Sequence, residues 1–531
     1  MPQPAYVGCM FARAATAFQK KLGNETSRNL MSASDNSPSS RRRAAVVMIV
    51  ILALGGLLRV RQYSAGTSFF SDEAALVLNF RTHSTFQLLR QLDHGQAAPP
   101  AFLWIGRLAY RSFGPNEYAL RLLPLMGGLL ALGLFAHIAW RLFPAGVAVA
   151  VVGWFAFCNT LIMFCAELKQ YSTDVMVAVT LFGIAFVWGA DQSPLRRLAI
   201  LSGVASITVW LSHPTAILYG AFALVLLWQC RSSGTRAFAL ALLCGCWVGV
   251  SFLTLYFLSI QHLQSRFLYN FWRNDFPDWS RPLNVPGWLA RETYALIDDP
   301  YRSLGIISVP LTCCGIAWLW MSRQRDLLAA LLLPIGLTAL AACLHQYPYN
   351  GSRLTLFLCP GLFLLIGFGL NGLRGWLPMP LRVVWWAPAA IVVSVGAVAG
   401  IGRAIHPHYQ SHVRPVVEYV REHFSPGDEL YLLGELGPKD DPLNSPGRHL
   451  ELLAYWPDPP AEVHTSIQSI EEIHAHRFWV VLAYRPHIRQ SIRLFDEFKR
   501  VADPVGEPLI TDHGAAACLF ELRRASATSR S

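Results

Sequence analysis

Long apolar runs separated by short arginine-bearing loops constrain this 531-residue chain more than any other feature. A helix of about 20 apolar residues satisfies its own backbone hydrogen bonds while crossing the hydrocarbon of a bilayer, and few other structures do. The runs are Ala44 to Val60, Tyr118 to Trp140, Ala145 to Phe164, Ser172 to Ala190, Leu198 to Leu211, Thr215 to Trp228, Ala237 to Ile260, Leu304 to Met321, Leu327 to Leu344, Leu354 to Leu370 and Val383 to Ile401. They predict an α-helical polytopic membrane protein of about eleven transmembrane helices. With 53% hydrophobic and 15% charged residues and a mean hydropathy of +0.36, the chain holds more apolar surface than a water-soluble protein of this length buries.

Loop charge sets the direction of crossing. Arg41, Arg42 and Arg43 stand directly before the first run and predict a cytoplasmic N-terminus. The segment Pro99 to Phe113 is too short to span and carries Arg107 and Arg111 one turn apart, so it reads as a juxtamembrane helix lying in the interface. On that reading the loops holding Arg141, Arg196 with Arg197, Arg231 with Arg236, Arg323 with Arg325, and Arg374 with Arg382 all face inside. Counting Pro99 to Phe113 as a span would reverse all five.

Three regions follow: a polar, disordered cytoplasmic tail over residues 1–40, a transmembrane domain over 41–402, and an extracytoplasmic unit over 403–531. The transmembrane domain has a first outer loop at 61–117 and a large one at 261–303. The C-terminal unit has soluble composition. Helices are predicted near Val413 to His423, Ile467 to Ala475 and Ile488 to Arg500, with strands at Glu429 to Leu433, Phe478 to Tyr484 and Ala516 to Leu522, which is α/β. Cys518 is its only cysteine, so its stability comes from an ordinary core.

The net charge of +11 is spread over short loops with no nucleic-acid-binding motif, which points to lipid headgroups and phosphate as partners and away from nucleic acid. On the outer face, SFFSDEAAL places Asp72 and Glu73 in the first loop; an N-capped helix with acids in its first turn is the structural alternative. CAELKQYSTD places Glu167, Lys169, Tyr171 and Asp174 between two apolar runs, where ionisable groups are costly unless paired or functional. Arg121, His213 and Arg353 share that face; a core histidine and a snorkelling arginine are the alternatives for the last two. The loop FLYNFWRNDFPDWSRP either covers a site or forms an interfacial belt. Cations at headgroup depth suit a phosphate, and a carboxylate suits deprotonation of a hydroxyl.

The order of SDEAAL, PPAFLWIGRL, GPNEYALRLLPLMGG, AELKQYSTD, WLSHPTA and SRLTLFLCPGLFLL resembles the integral-membrane glycosyltransferases of the GT-C superfamily. Within it, the chain is most similar to the group of protein O-mannosyltransferases and lipid A aminoarabinose transferase. That resemblance implies transfer of a sugar from a polyprenyl-phosphate donor to a lipid, glycan or protein acceptor on the outer side of the membrane, with inversion. It implies Asp72 as the group that takes the acceptor's proton, Glu73 as its support, and Arg121, Lys169 or Arg353 as cations for the departing phosphate. Many relatives carry His or Lys before the Pro-Pro pair. Ala98 stands there in this chain, with His94 the nearest substitute. No second acidic motif of the DxD type supports a divalent metal, and no other cofactor is implied. A flippase or transporter would instead place charged groups near the midplane in inverted repeats, and a non-catalytic assembly subunit would keep the fold without the chemistry.

Overall fold

The computed structural model describes residues 38–231, 234–263, 266–298, 305–351, 353–377, 386–409, 412–433, 449–460, 463–464, 473, 475–482, 495–496, 498–511 and 515–523. The tail expected over 1–40 therefore lies almost wholly outside them, as do most of the helices expected at Ile467 to Ala475 and Ile488 to Arg500.

Helices follow the apolar runs. They are α1 (Pro38–Ser64), α2 (Ser71–Thr82), α3 (Pro100–Phe113), α4 (Glu117–Leu142), α5 (Ala145–Ala156), α6 (Asn159–Phe164), α7 (Tyr171–Phe186), α8 (Pro194–Thr208), α9 (Thr215–Cys230) and α10 (Thr235–Leu255). Next come α11 (Arg266–Phe271), α12 (Val285–Asp298), α13 (Gly305–Met321), α14 (Arg325–Cys343), α15 (Cys359–Trp376), α16 (Trp386–Ile405), α17 (Arg414–His423) and α18 (His449–Tyr455). Among the described residues, 6 helices are long and apolar enough to cross a membrane, and α5, α7, α9 and α13 are shorter apolar helices. Each of the eleven predicted runs is occupied by a helix, and Leu57, Ile207, Trp247 and Val398 point outward, exposed, as a lipid-facing surface requires. The chain is an integral membrane protein.

One run departs from expectation. The stretch Ala145 to Phe164 breaks after Ala156, where the fully buried Arg59 of α1 donates to the carbonyls of Ala156 at 2.9 Å and Phe155 at 3.4 Å. Those carbonyls lose their helical partners at the break, and the guanidinium replaces them. Close helix approach holds the far side together: a Cβ at Gly315 of α13 or Gly369 of α15 would strike the backbone carbonyl of Leu365 or Leu311.

The long helices α1 and α4 run in opposite directions. Arg41 at the start of α1 lies over the Trp140 ring near the end of α4, at 5.8 Å. At the other end of the same two helices, the Tyr63 hydroxyl donates to the Tyr118 carbonyl at 2.7 Å. α3 is not part of this antiparallel pair. It packs on α2 and the α8–α9 turn, donating Ala101 N–H to the Trp210 carbonyl at 2.9 Å and capping α2 through Arg107 to the Phe80 carbonyl at 2.6 Å.

The C-terminal unit is built on a 6-stranded sheet. Its strands are β1 (Glu429–Leu433), β2 (Val463–His464), β3 (Arg477–Leu482), β4 (Ala502–Pro504), β5 (Leu509–Ile510) and β6 (Ala516–Leu522), with β1 parallel to β2 and β3, and β6 antiparallel to β3, β4 and β5. Alternation along β3 divides its faces. Phe478, Val480 and Leu482 join one core with Phe498 and Phe520. Trp479 and Val481 turn the other way, into a continuous core shared with α2, α3 and α17 through Phe69, Leu78, Phe102 and Val416. The sheet thus rests on the loop that carries Asp72.

Candidate active site

The segment between α1 and α4 is fixed by a buried ion pair. Arg121, near the start of α4, donates through Nε and Nη2 to both oxygens of Glu73 at 2.8 and 2.7 Å, and both side chains are almost fully buried. Its remaining donors reach the Thr67 carbonyl, the Thr67 hydroxyl and the Ser68 carbonyl at 2.6, 2.9 and 3.2 Å. Glu73 also accepts the Leu168 amide at 2.6 Å and the Phe70 amide at 3.0 Å. Every guanidinium nitrogen of Arg121 is engaged. Arg121, expected from the sequence as a phosphate contact, has all its donors engaged within the chain, and Glu73 joins α2, α4 and the α6–α7 loop.

That brace leaves Asp72, one residue earlier, turned toward solvent. Its carboxylate is about a quarter exposed (27%) and pairs with Arg353 at 2.7 Å. Gln96 also hydrogen-bonds Asp72, and its Oε1 accepts from the Lys169 ammonium at 2.7 Å. Burial pushes the Asp72 carboxyl up, but Lys169 and Arg353 together outweigh it and hold it below the usual carboxylate range. Asp72 is therefore ionised at neutral pH. Arg353 lies between two aromatic faces, Trp272 of the loop between α11 and α12 at 5.6 Å and Tyr171 at 5.9 Å. The second loop thus reaches the site through Trp272.

Glu167 lies behind this pair in the α6–α7 loop. Burial, with Glu73 adding to it, pushes its carboxyl up to about 8, so it holds a proton at pH 7. Lys169 is pulled below its ordinary range by burial, against the attraction of Asp72. With Glu167 neutral, Asp72 faces Lys169 and Arg353, while Glu73 is taken up by Arg121.

Three predicted residues stand apart from this cluster. Asp174 is buried (4%) beside Ser212 of the α8–α9 turn, and its Oδ1 has no hydrogen-bond partner. His213 is in that same turn; burial pulls its imidazole down to about 4, which makes it neutral. His94 is exposed on a 3-10 turn at φ 59°, and Gln96, two residues on, is the loop's contact with Asp72 and Lys169. Sequence reasoning reached Trp272 only as part of the loop FLYNFWRNDFPDWSRP, gave Gln96 no role of its own, and missed the C-terminal residues that touch the Asp72 loop. A lone amide or an aromatic in a polar loop carries no periodic signal. Among the described residues, no group of three or more His, Cys, Asp or Glu side chains is arranged to hold a metal ion.

The arrangement resembles known membrane enzymes in fold. ArnT from Cupriavidus metallidurans in the apo state superposes over 90% of this chain and 98% of its own, at 13% identity and a TM-score of 0.50. ArnT from the same organism bound to undecaprenyl phosphate aligns over 89% and 97%, at 14% identity and 0.48. The Archaeoglobus fulgidus oligosaccharyltransferase in complex with Zn and sulfate aligns over 88% and 72%, at 10% identity and 0.42. No family model and no curated protein matches the chain. The shared architecture is the GT-C fold.

Proposed function

We propose that this GT-C chain is an inverting glycosyltransferase that moves a sugar from a polyprenyl-phosphate carrier to an envelope lipid, glycan or protein acceptor at the outer face of the membrane. The observation that carries the reading is the Asp72–Arg353–Lys169 arrangement: a water-accessible carboxylate between two cations, at one end of an apolar bundle. That end receives the first outer loop, the α6–α7 loop, the segment around Arg353 and the C-terminal unit. The basic loops at Arg141, Arg196 and Arg323 lie between helix ends at the other, so positive-inside logic makes the site and residues 403–531 extracytoplasmic.

The chemistry needs three things from these residues. The acceptor hydroxyl gives its proton to the Asp72 carboxylate as its oxygen forms a bond to the anomeric carbon. The bond from that carbon to the phosphate oxygen breaks on the opposite face, and the electron pair leaves with the lipid phosphate. Arg353 and Lys169 meet the charge that develops there, and the protonated Glu167 adds no negative charge beside them. Donor phosphate also competes with Asp72 for Arg353. Drawing Arg353 away raises the proton affinity of Asp72 at the moment a base is needed.

The test is Asp72→Asn, which keeps the shape and removes the proton acceptor. In a strain lacking the gene, mass spectrometry is expected to show a lipid-linked sugar accumulating and an envelope glycan missing. Wild-type protein restores both, and the variant, folded and inserted, restores neither. Normal glycan made by the variant would remove Asp72 from the mechanism.

A further inference from the structure

Helix α18 belongs to the C-terminal unit, yet its polar side chains complete the backbone that leads into Asp72. Three successive amides before Asp72 have side-chain acceptors. Phe69 N–H donates to the Tyr455 hydroxyl at 2.7 Å, Phe70 N–H to Glu73 at 3.0 Å, and Ser71 N–H to Glu451 at 3.0 Å. Two of the three partners come from α18. The first amides of a helix have no intrahelical acceptor, and Phe70, where α2 begins, has no side-chain oxygen to supply one.

Glu451 is 2% exposed, so its carboxylate is committed to this contact region. Tyr455 does more than accept. Its hydroxyl donates to Glu117 at 2.8 Å, and its ring stacks on Phe69 with centroids 5.5 Å apart. Arg414 of α17 adds a second tie, donating its amide to the Ser68 hydroxyl at 3.0 Å and its guanidinium to Glu117 at 2.8 Å. Buried hydrogen bonds to a carboxylate are stronger than neutral ones and specify geometry.

We infer that Glu451 and Tyr455 are positioning residues for the transfer: the aqueous C-terminal unit sets the N-terminal turn of α2 and through it the aim of the Asp72 carboxylate. The inference rests on the reading of Asp72 given above. A base displaced by about 1 Å loses on the order of a hundredfold in rate, whereas substrate binding made elsewhere is untouched. The signature of positioning is therefore a fall in kcat with KM preserved.

The experiment uses the full chain in nanodiscs and, as probe, the total polyprenyl-phosphate lipid extract of the deletion strain. Loss of the sugar-linked carrier is followed by mass spectrometry against extract concentration. Glu451→Ala and Tyr455→Phe are each expected to lower kcat at least tenfold with KM within about threefold. Glu451→Gln, which keeps an acceptor oxygen for Ser71 N–H, is expected to retain a third or more of the turnover. Hydrogen exchange at Phe69 and Ser71 should quicken in the two damaged variants. If Glu451→Ala fails to fold, Tyr455→Phe, which keeps the stacked ring, decides the matter alone. Folded variants with kcat within twofold of wild type would overturn the inference, as would Glu451→Gln falling as far as Glu451→Ala. Full turnover by Asp72→Asn would instead remove the reading beneath it, so the two failures are separable.

Discussion

Replacing Arg353 by alanine sets two effects against each other, and their sizes predict the outcome. The ion pair with Asp72, at 2.7 Å, disappears, so the carboxylate becomes a stronger base. General-base catalysis as a whole contributes about 10²- to 10⁴-fold, and strengthening a base already in place returns only a fraction of that. The substitution also removes a donor held for the leaving phosphate. A preorganised donor to a developing oxyanion is worth about 2.7–4 kcal/mol in a water-excluded site. Arg353 is a quarter exposed (25%), so the lower end applies, and the net expectation is a loss of roughly a hundredfold in kcat. The acid limb of the pH–rate profile should move upward at the same time, because Asp72 has lost a cation. The assay is turnover of lipid-linked sugar by the purified chain between pH 4 and pH 9. A rate within threefold of wild type, or above it, would refute the argument: Arg353 would then restrain Asp72 and do nothing for the phosphate.

Other outcomes follow from the same geometry. Glu167 holds its proton up to about 8, so donor KM should rise above that pH as a carboxylate appears beside the phosphate site; Glu167→Gln should abolish the alkaline limb, and an unchanged limb would reassign it. Folding also feels this group. Its raised value means stability is fullest at low pH and falls as pH climbs from the ordinary glutamate value of 4.5 toward about 8, so Glu167→Gln should raise the melting temperature in detergent at pH 8. Glu73→Ala strands Arg121 without its partner in a buried site and should cost about 3–5 kcal/mol, read as a loss of folded protein by fluorescence size-exclusion. For topology, a single cysteine placed at the exposed Gln346, near Asn350, in a cysteine-free background should react with an impermeant maleimide from outside intact cells; labelling only after lysis would reverse the bundle.

Much of this architecture is local in origin and legible in the order of residues. A run of apolar side chains has one solution in hydrocarbon, because each backbone amide must find its acceptor within the same segment. That is why the helices fall on the predicted runs, and why α3 ends at Phe113 after starting in the Pro99-Pro100 pair. Strands β1 and β6 occupy Glu429–Leu433 and Ala516–Leu522, the predicted ranges, because apolar residues bounded by turn signals fix them. Acidic residues near a loop's aromatic pair marked Asp72 and Glu73, but their different fates were not written there. Glu73 is consumed by Arg121, 48 residues away, and Asp72 is left to solvent. Gln96 reaches Lys169 across 73 residues, and Glu451 reaches the Ser71 amide across 380. Such pairings depend on which distant helices pack together, and periodicity carries no information about that. Hydrophobic pattern determined the elements. Three-dimensional packing decided which charges of the site were buried in pairs and left Asp72 partly accessible, because a charge is tolerated inside only where a partner from elsewhere in the chain arrives to meet it.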